Sequence, residues 1–116
     1  GENAFRNLEM QVAELLKNKN NIVISPGGGV IMNQKTMKHL KENAVVIFLD
    51  TLFKTIKKRL AETTDRPLWN DQKKAEILYK LRRPLDKKHA DIVVTTDTKS
   101  VSKVVEEILI RLERKV

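Results

Sequence analysis

Four short stretches hold residue types that can bind and position an anionic ligand. "GENAFRNLE" sets Arg6 and Glu9 three residues apart, on one face of any helix that contains them. "SPGGG" places three of the chain's 4 glycines side by side at positions 27 to 29, directly after an apolar β-branched run. "DRPL" carries Arg66 in a polar stretch, and "KLRRPLDKKHAD" carries Arg82 and Arg83 just before Pro84. Arginine presents a planar fork of donors that grips a carboxylate or phosphate through two parallel hydrogen bonds, which lysine cannot do. Glycine permits positive φ and lets another molecule approach the main chain closely. Together these residues suit the binding of a small anionic ligand beside bare backbone.

Each stretch also has a plainer explanation. An i, i+3 ion pair alone accounts for Arg6 and Glu9. A tight turn accounts for glycines, although three in succession exceed what a turn requires. Arg66 is either an ordinary solvated loop residue or a mobile arginine that closes over phosphates. Arg82 and Arg83 are adjacent, so they face different directions; at most one enters a site and the other is solvated. His39 and His89 are isolated, with no partners at metal-ligand spacing. Trp69 reads as a partly exposed loop aromatic.

The elements that must position these groups alternate. Phe5, Leu8, Val12 and Leu15 predict an amphipathic helix over 3 to 18, ended by "NKNN". "IVIS", 22 to 25, predicts a short buried strand with the glycines at its carboxyl end. A helix begun by Asn33 stops near Asn43. "AVVIFL", 44 to 49, is apolar on both faces, as a strand covered on both sides is. Asp50 or Thr51 caps the next helix, with Leu52, Ile56 and Leu60 inward, and "AETTDRPLWNDQ" is a polar loop. Asp71 caps a helix through about Leu85, with Ala75, Leu78 and Leu81 inward and Pro84 forcing a kink or early end. "DIVVTT" is a third strand. Residues 101 to 115 form a last helix on Val104, Val105, Ile108, Leu109 and Leu112. This alternation implies right-handed crossovers and a parallel sheet, whose ligands bind at the carboxyl ends of the strands. The glycines, the end of "VIFLD" and the "VTTDT" loop gather there.

Composition narrows the classes. A 116-residue chain that is 41% hydrophobic is one domain at most, with a single core. The absence of cysteine excludes disulfides and thiolate metal sites. The net charge of +8 invites nucleic acid, but aromatics are only 4% and the lysines are scattered along helix faces, so a small anionic ligand is the better use of that field. No apolar run approaches the roughly 20 residues that span a bilayer, and no signal-peptide core is present. A cytoplasmic protein with neither membrane nor nucleic-acid partner is expected. The first residue is Gly1 rather than Met.

In order, "GE..FR..E", "GGG" after a strand, "VIFLD", "R......RPL" and "R.PL....AD" resemble the shikimate kinase family, over essentially all 116 residues. The resemblance implies an α/β fold with a P-loop kinase-like parallel sheet, of family order 2-3-1-4-5, flanked by helices. It implies ATP-dependent, magnesium-dependent phosphoryl transfer to the 3-hydroxyl of shikimate by a cytoplasmic monomer. By that resemblance Arg6 and Arg82 clamp the shikimate carboxylate, and Glu9 holds Arg6. Gly27, Gly28 and Gly29 form the floor for the shikimate hydroxyls, Gly28 being the best-placed contact. Ser25 supports magnesium through water. Arg66 is the lid arginine that reaches the ATP phosphates, in a lid of about 61 to 73. Arg59 packs on adenine, and Lys99 or Ser100 lines its other side.

Departures from the family matter as much. No G-x-x-x-x-G-K-[ST] occurs in the chain, so nothing in it cradles the β- and γ-phosphates. The family's aspartate base is absent as well. The 116 residues are therefore expected to be the C-terminal part of a single shikimate kinase-like domain. They lack strands 1 and 2, roughly 50 residues and more than one minimal βαβ unit, and would be inactive alone. Loss of the central strand would expose two apolar strand edges. Asp86 stands where the family usually has tyrosine, and Pro26 stiffens the approach to the glycines. A non-catalytic relative acting as a binding or regulatory module, or a related kinase acting on gluconate or a nucleotide, are the competing functions.

Overall fold

The computed structural model describes residues 1–62 and 72–115, in two compact units, Gly1–Val46 and Ile47–Val116. Residues 63–71, which include Arg66, Trp69, the expected capping residue Asp71 and most of the expected lid, lie outside the described residues.

The first unit contains helix α1 (Glu2–Leu16), a 3-10 turn (Gly28–Met32) and helix α2 (Gln34–Lys41). The two α-helices pack on each other. Asn33 caps α2 as its residue type predicts, its Oδ1 accepting from the Lys35 and Thr36 amides at 3.1 and 3.2 Å. Asn43 donates to the Lys17 carbonyl at 3.0 Å and so ties the end of α2 to the end of α1. Val30, Ile31, Thr36, Met37 and Ala13 are buried.

The face that α1 buries is not the one its apolar residues mark. Phe5, Leu8, Val12 and Leu15 are all more than half exposed. The covered stripe is Arg6, Glu9, Met10, Ala13, Leu16 and Lys17, equally helical in spacing. Arg6 and Glu9 can be covered because they neutralise each other, and Ala13 is small enough for close approach.

"IVIS" is a second departure. Residues 22–27 form no strand, and Val23 is 98% exposed. A strand needs a neighbour to satisfy its amides and carbonyls, and the first unit contains none among its described residues. Asn21 takes φ 58°, a left-handed conformation that asparagine tolerates, where the chain leaves α1.

The second unit contains strand β1 (Ile47–Asp50), helices α3 (Phe53–Ala61) and α4 (Gln72–His89), strand β2 (Ile92–Thr95) and helix α5 (Val101–Lys115). The strands pair in parallel, Ile47 opposite Ile92 through Asp50 opposite Thr95. The core is Ile92, Val94 and Val104, with Ile47, Ile108 and Leu112 against it. Burial of each large side chain there contributes about 1.5–3 kcal/mol.

The α/β parallel character matches expectation, but several boundaries and faces do not. β1 begins at Ile47 rather than Ala44 because its partner begins at Ile92, and Leu49 is half exposed rather than covered. Val105 and Leu109 of α5 are also about half exposed, since a helix meeting one strand buries only the narrow 104, 108, 112 stripe. Leu52, Leu78 and Leu81 are exposed and Ala75 is half-buried. α4 runs through Pro84 to His89: proline removes one hydrogen bond but ends nothing here, and the Ala90 amide still reaches the Asp86 carbonyl at 3.0 Å.

Candidate functional site

In the first unit, Arg6, Glu9 and two of the glycines converge. Arg6 Nη1 donates to Glu9 Oε1 at 2.8 Å, a charge-assisted bond between partly buried groups, while Glu2 is 3.8 Å from Nη2. The guanidinium also lies 5.4 Å from the centre of the Phe5 ring. A Cβ on Gly29 would collide with Arg6 Nη2 and stand 2.9 Å from Cζ, so it fits only if that side-chain tip moves. A Cβ on Gly27 would stand 4.0 Å from Glu9 Oε2, an ordinary contact. None of the glycines has a positive φ. Close approach to the Arg6 side-chain tip, not conformational freedom, is what distinguishes position 29. Ser25 is exposed in the unpaired 22–27 stretch that leads to them.

In the second unit, the carboxyl ends of β1 and β2 gather the polar groups. Asp50, expected to cap α3, instead closes β1 with its side chain clamped by Arg83: Nε to Oδ1 and Nη2 to Oδ2, both 2.8 Å. The hydrogen bond from Arg83 holds the Asp50 carboxyl below its ordinary range against the opposing effect of burial, with Lys87 assisting from 4.0 Å. The same bond pushes the Arg83 guanidinium higher still. Arg83 is therefore anchored rather than solvated. Nothing local in "VIFLD" or "LRRPL" signals this pairing, because the partners lie 33 positions apart.

Arg82, the next residue on α4, is half-buried, and its Nε is enclosed without a hydrogen-bond partner. Asp86, one turn further on, has its carboxyl pushed up by burial, with the charge of Arg82 pulling the other way. α3 begins after Leu52 without a side-chain cap, and from the loop after β2 Asp97 Oδ1 accepts from the Leu52 amide at 2.8 Å. Hydrogen bonds from the Thr55 side chain and the Leu52 amide lower the Asp97 carboxyl. Arg59 donates to the Thr96 carbonyl at 2.8 Å and to its hydroxyl at 3.1 Å; that hydroxyl also meets Thr51 Oγ1 at 2.5 Å. Tyr79 Oη donates to the Thr51 carbonyl at 2.6 Å, and its ring packs on Phe53. Lys99 bonds Glu107 at 2.8 Å and Thr95 at 3.3 Å. Ser100 Oγ caps α5 by accepting from the Lys103 amide at 3.2 Å.

The structure thus gathers Arg6, Glu9, Gly27 and Gly29 in one unit. It sets Arg59, Lys99 and Ser100 around the carboxyl end of β2 in the other, with Arg82 on α4. Among the described residues no group of three His, Cys, Asp or Glu side chains can hold a metal ion, and no helix is long and apolar enough to cross a membrane. An open depression of about 190 Å³ between Asp91, Ile92, Arg111 and Arg114 lies at the opposite, amino-terminal end of β2. Arg111 donates there to the Val93 carbonyl.

The sequence model of the family described as Shikimate kinase matches residues 1–113. The chain is 39% identical over 110 residues to a shikimate kinase of Lactococcus lactis subsp. lactis (strain IL1403), covering 93% of this chain and 67% of that protein. It is 37% identical over 111 residues to one of Thioalkalivibrio sulfidiphilus (strain HL-EbGR7), covering 93% and 58%. It is 36% identical over 113 residues to one of Persephonella marina (strain DSM 14350 / EX-H1), covering 97% and 68%. The chain therefore spans 58% to 68% of the length of these curated relatives.

Proposed function

The chain belongs to the shikimate kinase family, and from that premise we propose that it forms the acid-clamping and adenine-flanking part of an enzyme that phosphorylates the 3-hydroxyl of shikimate with ATP. The observation that carries this function is the family match across residues 1–113. The local geometry is consistent with it.

Arg6 is the first half of the clamp. Glu9 occupies one donor edge of its guanidinium, which fixes the plane of the fork and leaves other donors for a carboxylate. Arg82 is the second half, its partnerless Nε–H being a donor that a carboxylate oxygen can satisfy. Gly27, Gly28 and Gly29 are the floor beneath the hydroxyls, where side chains would intrude.

For ATP, the fit rests on Arg59. Two bonds to Thr96 hold its guanidinium beside the loop that contains Lys99 and Ser100, as a flat base sandwiched between them requires. Lys99 is engaged with Glu107 and Ser100 with its helix cap, so backbone and apolar faces of that loop, rather than these polar tips, would meet adenine. ATP when bound supplies the γ-phosphoryl group and is accompanied by magnesium. The described residues offer no ligand cluster for that ion, and Ser25 would reach it only through water. Arg66 is assigned to the phosphates as the lid arginine. Such transfer depends on positioning and positive charge more than on covalent help. No P-loop sequence occurs within Gly1–Val116, and neither the phosphate cradle nor the base is assigned to a residue of it.

Phosphorus NMR of the full-length protein with ATP, magnesium and shikimate tests this directly. A phosphate monoester of shikimate appearing with ADP is the expected result. Shikimate binding without any turnover would indicate a binding module instead, and turnover only with gluconate or a nucleotide would indicate a different small-molecule kinase.

A further inference from the structure

The Asp50–Arg83 pair has no place in the clamp just described, yet among the described residues of the second unit it is an ion pair made through both arms of a guanidinium. Asp50 is 6% exposed and receives both arms of the Arg83 fork at 2.8 Å. α4, by contrast, buries no residue among those described, so packing does little to fix its rotation. Two close contacts one helical turn apart tie it to the end of β1 and the residue after it. Tyr79 Oη bonds the carbonyl of Thr51, and Arg83 bonds the carboxylate of Asp50, the preceding residue at the end of β1. A helix pinned at i and i+4 on one side cannot roll about its axis. Arg82 sits about 100° around the helix from Arg83, so its direction follows from that attachment. Its own Nε makes no hydrogen bond that would hold it.

We propose that Arg83, locked on Asp50, is the positioning residue for Arg82: the pair sets the roll of α4 and thereby aims the neighbouring guanidinium at the ligand carboxylate. This rests on the assignment of Arg82 to shikimate, and the test separates the two. Lysine cannot replace Arg83, since it offers a point charge where the geometry uses a fork.

Shikimate affinity of the full-length protein is measured by calorimetry for R83K, R83A, D50N, R82A and the R82A/R83A double variant. Thermal melts confirm cooperative folding. The exchange of the Arg82 Nε–H is followed by nitrogen-15 NMR. R83K and D50N are expected to weaken shikimate binding by about 10- to 100-fold, the scale of an ångström-level misplacement of a reacting group, with nucleotide affinity unchanged. Because Arg83 acts through Arg82, the double variant should bind no more weakly than R82A. Faster exchange of the Arg82 Nε–H in R83K and D50N supports the same conclusion without reference to shikimate. Wild-type affinity in R83K and D50N, or losses that add in the double variant, would overturn it. If the unaltered protein does not bind shikimate, the functional assignment falls, and an unchanged Arg82 Nε–H in folded R83K and D50N then overturns the positioning role as well.

Discussion

Arg6 rests against Gly29 so closely that a single added methyl would collide with its Nη2. The obstructing atoms are the tip of a flexible side chain and not backbone, so G29A is relieved by moving Arg6 rather than by unfolding the loop. Its melting temperature should stay within a few degrees of wild type, a change of about 1 kcal/mol or less. Shikimate affinity should fall about tenfold, equivalent to about 1.4 kcal/mol. G27A, whose Cβ would make only an ordinary 4.0 Å contact with Glu9 Oε2, leaves Arg6 in place and should lose less affinity than G29A. Calorimetry on the two variants checks the contrast; equal losses would remove the special role of position 29.

Acid stability should reveal the buried carboxylates with opposite signs. Asp50 has a folded pKa below its unfolded value of 3.8, so its contribution is fully present above that value and is lost as pH falls through the folded pKa. D50N should therefore be less stable than wild type near neutrality by about 2 kcal/mol, less than the ~3–5 kcal/mol for a fully buried pair because the Arg83 side chain keeps some contact with water. The gap should close in strong acid. Urea midpoints from pH 2 to 7 measure it.

Asp86 runs the other way. Burial raises its folded pKa, so its charged form costs stability above that pKa and the cost vanishes below the unfolded value of 3.8. D86N should be at least as stable as wild type at neutral pH and indistinguishable from it in strong acid. It should also bind shikimate a few-fold more tightly, since it removes a negative charge one turn from Arg82. The same urea series and a calorimetric titration decide both points.

Arg59 links α3 to the loop after β2 through Thr96. R59A should cost about 1 kcal/mol, the net worth of such bonds at an exposed residue. It should raise the KM for ATP while leaving the KM for shikimate unchanged. Equal changes in both constants would count against an adenine-side role.

The sequence made the helices and the parallel pair legible through periodicity and caps: Asn33 caps α2 as its type demands, and "DIVVTT" supplies β2. It also marked Arg6 and Glu9, because their spacing places them on one helical face. What it hid were contacts between distant positions. The buried face of α1 is its charged-pair face, visible only once the 3-10 turn lies against it. Asp50 looked like a helix cap until Arg83, 33 residues on, claimed it, and α3 begins without a side-chain cap. "IVIS" carries strand propensity, but propensity cannot supply a neighbouring strand. The sequence set Gly29 apart within a triple glycine; that its close neighbour is the Arg6 guanidinium was not legible.

The most direct measurement is a calorimetric titration of shikimate into the full-length protein and its R6A and R82A variants at neutral pH, with ATP titrated in parallel. Each arginine should be worth about 3 kcal/mol as a charged, forked donor to the carboxylate, so each variant should lose shikimate affinity by about 100-fold while binding ATP as the parent does. Shikimate affinity unchanged in both variants would contradict the clamp on which the proposed function depends.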